Sequence, residues 1–307
     1  MKQGVGKAHG KIILIGEHAV VYDAYAIAVP FFSTNIIVTL SQGQDTMSSL
    51  LFNGKLSDAP DHLHGLVTLY HHLKEQYQDS TSYHIDINST ILQQRGMGSS
   101  AALAHALVSA YSDFHQLVIT DEERFKLNMI AETLNHGKPS GIDSLTTMSH
   151  TPIFFKKGPW HKRIEANMDG YLVVVDSGIV SKTKDAVASV AKHAQTEETK
   201  KVILQINELS CLSKTALESN QLVELGSYLN QAHQLLDDLE VSHPTLNQMV
   251  MLAHDAGALG AKMTGGGHGG CMIALVKTKR HATNVLRVLK TNGYHQAWVL
   301  DLKEAFS

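Results

Sequence analysis

The segment Arg95–Leu107 constrains the fold more than any other stretch of the chain. It opens with two glycines and two serines and continues as an alanine- and leucine-rich run without proline. Glycines let a backbone approach a ligand closely, and the run that follows has high helix propensity. A glycine-rich loop that opens a helix aims free N–H groups and about half a positive charge at whatever lies in front. The segment therefore predicts a phosphate-binding loop, and by itself it leaves a tight turn with serine caps open.

Composition and charge narrow the class of protein. The 307 residues, 43% hydrophobic and 18% charged, indicate a globular chain with one large domain or two smaller ones. A net charge of -3 gives no electrostatic footprint for nucleic acid or an anionic membrane. The N-terminus lacks a signal-peptide apolar region, and no apolar run reaches membrane-spanning length. Two cysteines suit a reducing compartment, so we expect a cytoplasmic protein with neither nucleic acid nor a membrane as partner.

Hydrophobic periodicity predicts a mixture of strands and helices. The expected strands cover residues 11–16, 24–30, 34–40, 48–53, 83–88, 170–176, 271–276 and 296–300. The expected helices cover residues 61–78, the stretch after the glycine–serine loop to about 115, residues 121 to about 135, a short one after a turn at 137–143, several between 184 and 256, and one near 283–289. One apolar stripe at helical spacing is expected in the core and contains Leu222, Leu225, Leu229, Ala232 and Leu236. A shift in element pattern places a domain boundary near residue 168.

Two clusters in the first half carry residue types suited to chemistry. Glu17 and His18 directly follow the strand that contains Lys11, and charged residues just past a buried strand often face a site. An ordinary surface turn is the alternative. The second cluster joins the glycine–serine loop to Glu132 and Asp143. Magnesium prefers hard oxygen ligands and keeps several waters, so a serine and a carboxylate suffice to hold it near phosphate. A surface glutamate and a helix-capping aspartate are the alternatives.

The third cluster lies late in the chain, at 262–271. It contains five glycines in the six positions 265–270, which is costly in backbone entropy. Strand-like residues follow the run closely, which disfavours a merely flexible loop. We expect another group to approach this backbone closely.

The three clusters, in this order, resemble the GHMP kinases, and the match spans roughly residues 7 to 276. Within that family, residues 16–22 and 136–143 are similar to the branch that phosphorylates mevalonate, and Arg95-Gly-Met-Gly resembles its bacterial members. The resemblance implies an α+β fold with two domains. Residues 1–168 would resemble ribosomal protein S5 domain 2, and residues 169–307 would form a ferredoxin-like layer.

The resemblance also implies an activity and a role for each site residue. The reaction would be magnesium-dependent transfer of the ATP γ-phosphoryl group to the primary hydroxyl of mevalonate. Asp143 would be the catalytic carboxylate with Lys11 as its partner, while Ser100 and Glu132 would hold Mg²⁺. The ATP phosphates would be wrapped by Arg95, Gly96, Met97, Gly98, Ser99, Ser100 and Ala101. The acceptor pocket would be lined by Glu17, His18 and Thr264, together with Lys11 and Asp143.

Some residues depart from the family pattern, and some alternatives stay open. Asp23 and His268 stand where the family usually has glycine, Leu92 stands where it usually has proline, and His9 stands where proline or a small residue is frequent. Phosphomevalonate kinase, another small-alcohol kinase and an inactive ligand-sensing homologue remain as alternatives. Residues 96–101 also match Gly-x-Gly-x-x-Ala, but a dinucleotide-dependent oxidoreductase would leave the other two clusters unexplained. A homodimer is left open.

Overall fold

The computed structural model describes residues 2–137, 139–158, 161–181 and 183–306, apart from the side chains of Thr183 and Lys184. The chain forms two compact units. The first contains Met1–Gly10, Thr34–Leu92 and Gly98–Met148, and the second contains Lys11–Ser33, Gln93–Met97 and Ser149–Ser307. The boundary predicted near residue 168 separates the two domains that the family resemblance implies, whereas these units are compact parts of the structure. That boundary therefore stays a prediction.

Strands and helices alternate irregularly along the described residues. The strands are β1 (Gln3–Ile15), β2 (Ala26–Gln42), β3 (Thr46–Ser48), β4 (Asn53–Lys55), β5 (Tyr83–Ser89), β6 (Ile153–Phe155), β7 (His161–Arg163), β8 (Tyr171–Asp176), β9 (Gly260–Thr264), β10 (Cys271–Val276) and β11 (Ala297–Asp301). The α-helices are α1 (His64–Gln76), α2 (Ser99–His115), α3 (Asp121–His136), α4 (Ile142–Met148), α5 (Thr183–His193), α6 (Glu197–Glu218), α7 (Leu222–Asp238), α8 (Pro244–Asp255), α9 (Lys279–Thr291) and α10 (Leu302–Phe306). Short 3-10 turns form at Ala19–Tyr22, Leu56–Asp58 and Asp61–Leu63.

In the first unit, a small sheet is covered by three mutually packed helices. Strand β5 pairs antiparallel with residues 36–42 of β2 and parallel with β3, and β3 pairs antiparallel with β4. Tyr83 and Ile85 of β5 are buried while Asp86 is exposed. The alternation of polar and apolar residues thus correctly predicts that one face of this strand is exposed to solvent. Helices α1, α2 and α3 pack against one another, and this packing fixes the start of α2, where the glycine–serine loop ends.

In the second unit, a four-stranded antiparallel sheet has the order β11-β8-β10-β9. Strand β10 is buried along its whole length and places Cys271 opposite both Asp176 and Thr264. The predicted stripe on α7 is confirmed, because its five residues are all buried, and α7 and α8 pack on β9. The sheet therefore forms the core from which the late glycine run emerges between β9 and β10.

Some predicted element boundaries are wrong for local reasons. The strands expected at 24–30 and 34–40 form the single strand β2. Phe32 and Ser33 are both exposed, which interrupts the alternation although the backbone stays extended. Residues 49–52, the centre of the strand expected at 48–53, form the turn between β3 and β4. Ser49 Oγ closes this turn by accepting hydrogen bonds from the N–H groups of Leu51 and Phe52. The expected helix 61–78 begins with a 3-10 turn and ends at Gln76.

Strand β1 begins eight residues earlier than expected, at Gln3 rather than Lys11. Its early glycines weaken the β signal, but its burial alternates as a strand requires. Strands β6, β7 and β9 were not expected, because they are short or glycine-flanked. None of the described helices has the length and hydropathy that crossing a membrane requires.

Candidate active site

Within the second unit, the two glycine-rich segments touch through their backbones. Gly96 and Gly265 both have positive φ angles, +75° and +85°. A Cβ added to Gly265 would lie 2.8 Å from the Gly96 Cα, and one added to Gly96 would lie 3.0 Å from the Gly265 Cα. Both distances are shorter than real Cβ contacts allow without a shift. Glycine is thus required at both positions, as expected for segments that approach each other closely.

The first cluster lies beside these segments. The Lys11 N–H donates a hydrogen bond of 2.9 Å to the Met97 carbonyl. From the other side, Thr264 Oγ1 donates a hydrogen bond of 2.8 Å to the Ile13 carbonyl. Lys11, Met97 and Thr264 are all buried. The second unit therefore brings together the strand of Lys11, the start of the phosphate loop and the late glycine run, which are far apart in sequence.

His18 occupies a strained and buried position at the end of β1. Its backbone angles, φ 61° and ψ -50°, are sparsely populated by residues other than glycine and cost on the order of 1–3 kcal/mol, a strain that clusters at functional sites. Neither ring nitrogen has a hydrogen-bond partner among the described residues. Burial lowers the pKa of His18 to about 4, and a contact with the Gly266 backbone opposes the shift without reaching hydrogen-bond geometry. The ring is therefore neutral at pH 7 and able to bind a ligand.

Glu17 is buried beside His18 and is held by a residue to which the sequence analysis assigns no role. Its Oε1 pairs with Lys262 Nζ, while its Oε2 is buried and has no partner among the described residues. Lys262 lies on β9 and is fully buried. The available sequence signal was a lysine between alanine and methionine, shortly before the glycine run.

Arg95 is expected to contact phosphate, but in this structure its guanidinium is engaged within the protein. Its Nε lies 2.8 Å from Asp176 Oδ1, and its Nη2 donates to the Gly178 carbonyl at 3.3 Å. Burial raises the pKa of Asp176, and the Arg95 charge opposes that rise. The segment after β8 also holds the loop through the Ser181 N–H, which donates to the Gln94 carbonyl at 2.8 Å. The predicted phosphate contact of Arg95 stays a prediction.

Within the first unit, α3 presents polar side chains to the first turn of α2. Asn128 Nδ2 donates to the Ala101 carbonyl at 2.9 Å, and Asn135 Nδ2 donates to Ser100 Oγ at 2.7 Å. Glu132 lies one turn after Asn128 and three residues before Asn135, so it shares their helix face. Its side chain is 4% exposed. The structure thus places Glu132 on the face of α3 that is turned toward Ser99–Ala101.

Oxygen donors of this kind suit magnesium. A serine hydroxyl and a carboxylate are hard ligands, and magnesium needs only one or two from a protein because waters and phosphate oxygens fill the rest. No group of three or more histidine, cysteine, aspartate or glutamate side chains that could hold a metal occurs in the described part of the chain. Ser100 and Glu132 therefore fit a metal that arrives with a nucleotide better than a permanently bound ion.

Asp143 lies half-buried in the first turn of α4. Helix α4 is fixed to α3, because Ser144 Oγ donates a hydrogen bond of 2.9 Å to Asn128 Oδ1. Asn128, fully buried, therefore contacts both the start of α2 and the residue next to Asp143. The turn predicted at 137–143 includes Lys138, which lies outside the described residues. The roles of Asp143 and Lys11, and their pairing, stay predictions.

Two departures from the family pattern are accommodated locally. Asp23 takes a left-handed conformation with φ 66°, which aspartate tolerates better than most residues, and its Oδ2 lies 3.0 Å from Lys156 Nζ. His268 also has a positive φ, 53°, and its Nε2 hydrogen-bonds the Glu240 carbonyl at 2.8 Å. Each side chain thus has a partner of its own in the second unit.

Comparison with known proteins gives a consistent result. The family model for the GHMP kinases N terminal domain matches residues 65–150, and that for the GHMP kinases C terminal domain matches residues 213–295. A mevalonate kinase of Thermococcus sibiricus is 32% identical and covers 94% of this chain and 93% of its own length.

Two solved structures have the same fold over nearly the whole chain. The mevalonate kinase of methicillin-resistant Staphylococcus aureus is 32% identical with a TM-score of 0.77, and the alignment covers 99% of this chain and 100% of that one. The L. major mevalonate kinase in complex with R-mevalonate is 25% identical with a TM-score of 0.82, and the alignment covers 98% of this chain and 96% of that one. The expected two-domain α+β fold is confirmed, and the chain belongs to the GHMP kinase family, in the group of the mevalonate kinases.

Proposed function

We propose that this chain transfers the γ-phosphoryl group of ATP to the primary hydroxyl of mevalonate. The product is 5-phosphomevalonate, an intermediate in isoprenoid precursor synthesis. The observation that carries the proposal is the convergence, within the second unit, of the Lys11 strand, the start of the phosphate loop and the late glycine run. Membership of the mevalonate kinase group supports the choice of ATP and mevalonate as substrates.

The phosphate loop supplies the ATP site. Residues 95–101 lead into α2, whose N-terminus offers free N–H groups and a partial positive charge to the phosphates. Gly98, with φ +74°, immediately precedes the helix, so no Cβ stands between its first turn and the ligand. Positioning by this loop matters more than covalent chemistry, because phosphoryl transfer passes through a loose transition state.

Ser100 and Glu132 are the residues that would hold Mg²⁺. When bound, the ion neutralises charge on the phosphate oxygens. The buried carboxylate of Glu132 and its place on the face of α3 that carries Asn128 and Asn135 support this assignment. Asn135 also fixes the Ser100 hydroxyl by donating to its oxygen.

Asp143 would orient the acceptor hydroxyl and take its proton, with Lys11 as its partner. A carboxylate is a weak base toward a free alcohol, because alcohols are far weaker acids than carboxylic acids. The proton therefore leaves late, after bonding to phosphorus has made the hydroxyl more acidic. Asp143 lies in the first turn of a helix that is anchored through Ser144, which suits a group whose main task is positioning.

Glu17, His18 and Thr264 would line the acceptor pocket. Glu17 Oε2 is a buried acceptor without a partner among the described residues. The two ring nitrogens of the neutral His18, one a donor and one an acceptor, likewise have no partner there. Buried polar groups are nearly always hydrogen-bonded in folded proteins, so these atoms support a site for a hydroxylated ligand. Thr264, whose hydroxyl donates to Ile13, supports the pocket from β9.

The decisive experiment combines a substrate panel with the variant Asp143→Asn. The wild-type protein, ATP and Mg²⁺ are assayed with mevalonate, phosphomevalonate, homoserine and galactose, with ADP release as the readout. We expect turnover with mevalonate and a loss of roughly 10²–10⁴-fold in kcat for the variant, while its ATP affinity persists. Preference for another alcohol would assign the chain a different substrate within the GHMP kinase family. The absence of turnover with any alcohol would favour a ligand sensor.

Location and assembly are separate proposals. Cys211 and Cys271 are both free thiols, which supports a reducing compartment and hence the cytoplasm. A homodimer is compatible with the family but has no contact in the described chain that argues for it. Sedimentation of the purified protein at several concentrations decides between a monomer and a dimer.

A further inference from the structure

Lys262 is an unusual residue for the centre of a strand. It is fully buried on β9, where it pairs with Ile273 of β10. Its Nζ contacts Glu17 Oε1 and the Met263 carbonyl. Lysine is almost never fully buried unless it is paired, so the contact with Glu17, 245 residues away in sequence, has to account for its presence.

The pair leaves one acceptor atom over. Glu17 Oε1 is occupied by Lys262, whereas Oε2 is buried and has no partner among the described residues. A carboxylate that served only to neutralise a structural lysine would be expected to have both oxygens satisfied. The ligand group that completes Oε2 must donate a hydrogen bond, as a hydroxyl does.

Two histidines that interact electrostatically with Lys262, His18 and His233, do not supply positive charge to balance Glu17. Burial lowers the pKa of both His18 and His233 to about 4, so both rings are neutral at pH 7. Burial also lowers the pKa of Lys262, and the Glu17 charge opposes that change. Whichever partner holds the shared proton, the Glu17–Lys262 pair has no net charge.

We propose that Lys262 is a positioning and charge-balancing residue of the acceptor pocket. It holds Glu17 so that Oε2 meets an acceptor hydroxyl, and it cancels the glutamate charge so that an anionic acceptor such as mevalonate can enter. This inference rests on the proposed function of Glu17 and adds to it a residue outside the pocket lining. Without Lys262, the carboxylate is free to rotate and repels the carboxylate of the substrate.

The test uses the variants Lys262→Met, Glu17→Gln and the double variant, with Lys156→Met as a matched control. Lys156 also forms an ion pair in the second unit, with Asp23, but it has no part in the pocket. We expect Lys262→Met to raise the KM for mevalonate by roughly 10- to 100-fold, the value of a hydrogen bond to a charged group. The KM for ATP should stay within about threefold, and Lys156→Met should leave both constants unchanged.

A neutral acceptor separates charge balance from positioning. The triol 3-methylpentane-1,3,5-triol replaces the carboxylate of mevalonate with a hydroxymethyl group. If charge repulsion contributes, Lys262→Met should raise the KM for mevalonate by a larger factor than the KM for the triol. Equal losses for the two acceptors would overturn the charge-balancing half of the inference.

The double variant distinguishes a loss of substrate binding from a loss of folding stability. Lys262→Met leaves a buried unpaired carboxylate, which destabilises the protein, and adding Glu17→Gln removes that charge. We expect the double variant to recover thermal stability while its KM for mevalonate stays high. A double variant with both wild-type stability and a wild-type KM would show that the pair is only structural. Failure of the proposed function is distinguishable, because the wild-type protein itself would then not phosphorylate mevalonate.

Discussion

Substituting Gly265 by alanine tests the backbone contact between the two glycine-rich segments. The added Cβ would lie 2.8 Å from the Gly96 Cα, whereas ordinary van der Waals contact begins at 3.4 Å. The two backbones must therefore separate by about 0.6 Å, the difference between these distances. The positive φ of +85° adds roughly 1–2 kcal/mol for a residue with a Cβ in the left-handed region.

The shift should appear in turnover. Displacing a catalytic constellation by about 1 Å can cost 10²-fold in rate, so a separation near 0.6 Å predicts a fall in kcat on the order of tenfold. The stability loss should exceed that of Gly293→Ala, the matched control. Gly293 has a similar φ of +93°, but an added Cβ there meets nothing within 4 Å. The control therefore carries the conformational cost without the clash.

Steady-state kinetics with ATP and mevalonate, together with urea unfolding of both variants, provides the measurement. We expect a stability loss for both variants and a kinetic defect for Gly265→Ala alone. Equal stability losses and unchanged kcat in the two variants would refute it, because the contact with Gly96 would then have no consequence.

Three further predictions concern positioning, protonation and stability, and they are tested by Asn128→Leu, His233→Gln and Thr120→Ala, with Ser144→Ala as a milder comparison for the first. Asn128→Leu removes a donor to the Ala101 carbonyl and an acceptor for Ser144. It should therefore lower the free energy of unfolding by about 2–4 kcal/mol and lower kcat. Ser144→Ala loses only one of these two hydrogen bonds, so its loss of stability should be smaller. The pKa of His233 is about 4 in the folded chain and about 6.5 when unfolded. The unfolded chain therefore binds the extra proton between these values, and stability falls as pH drops through that window. His233→Gln should remove about 2 kcal/mol of the stability lost between pH 7 and pH 5, as measured by urea midpoints; an unchanged pH dependence would contradict the assignment. Thr120→Ala removes the N-cap of α3 and should cost about 1 kcal/mol in thermal unfolding, with KM values unchanged.

Elements with strong local patterns could be predicted closely. The expected strand 271–276 coincides with β10, because an uninterrupted apolar run is bounded by glycine on one side. The helix expected after the glycine–serine loop, ending near His115, corresponds to α2 (Ser99–His115), since the glycine loop marks its start. Strand β9 could not be predicted, because its lysine and the glycines around it interrupt the apolar pattern of a buried strand. Its burial depends on pairing with β10 rather than on its own residues.

The site could be predicted at the level of segments but not of contacts. Glycine runs and charged residues after strands are local signals, so the phosphate loop, the Lys11 strand and the late run were identifiable. The partners of their side chains depend on tertiary structure. Arg95 pairs with Asp176, and Glu17 pairs with Lys262, and nothing in the spacing of these residues indicates either pair.

The two compact units are interleaved along the chain, which passes from one to the other five times, after residues 10, 33, 92, 97 and 148. No single cut can therefore release either unit as a self-sufficient fragment. A piece starting at residue 169 would lack Lys11–Ser33, which belongs to the second unit. On the ribosome, this early segment has to wait for β8, β9 and β10 to emerge before its own half of the molecule can be completed.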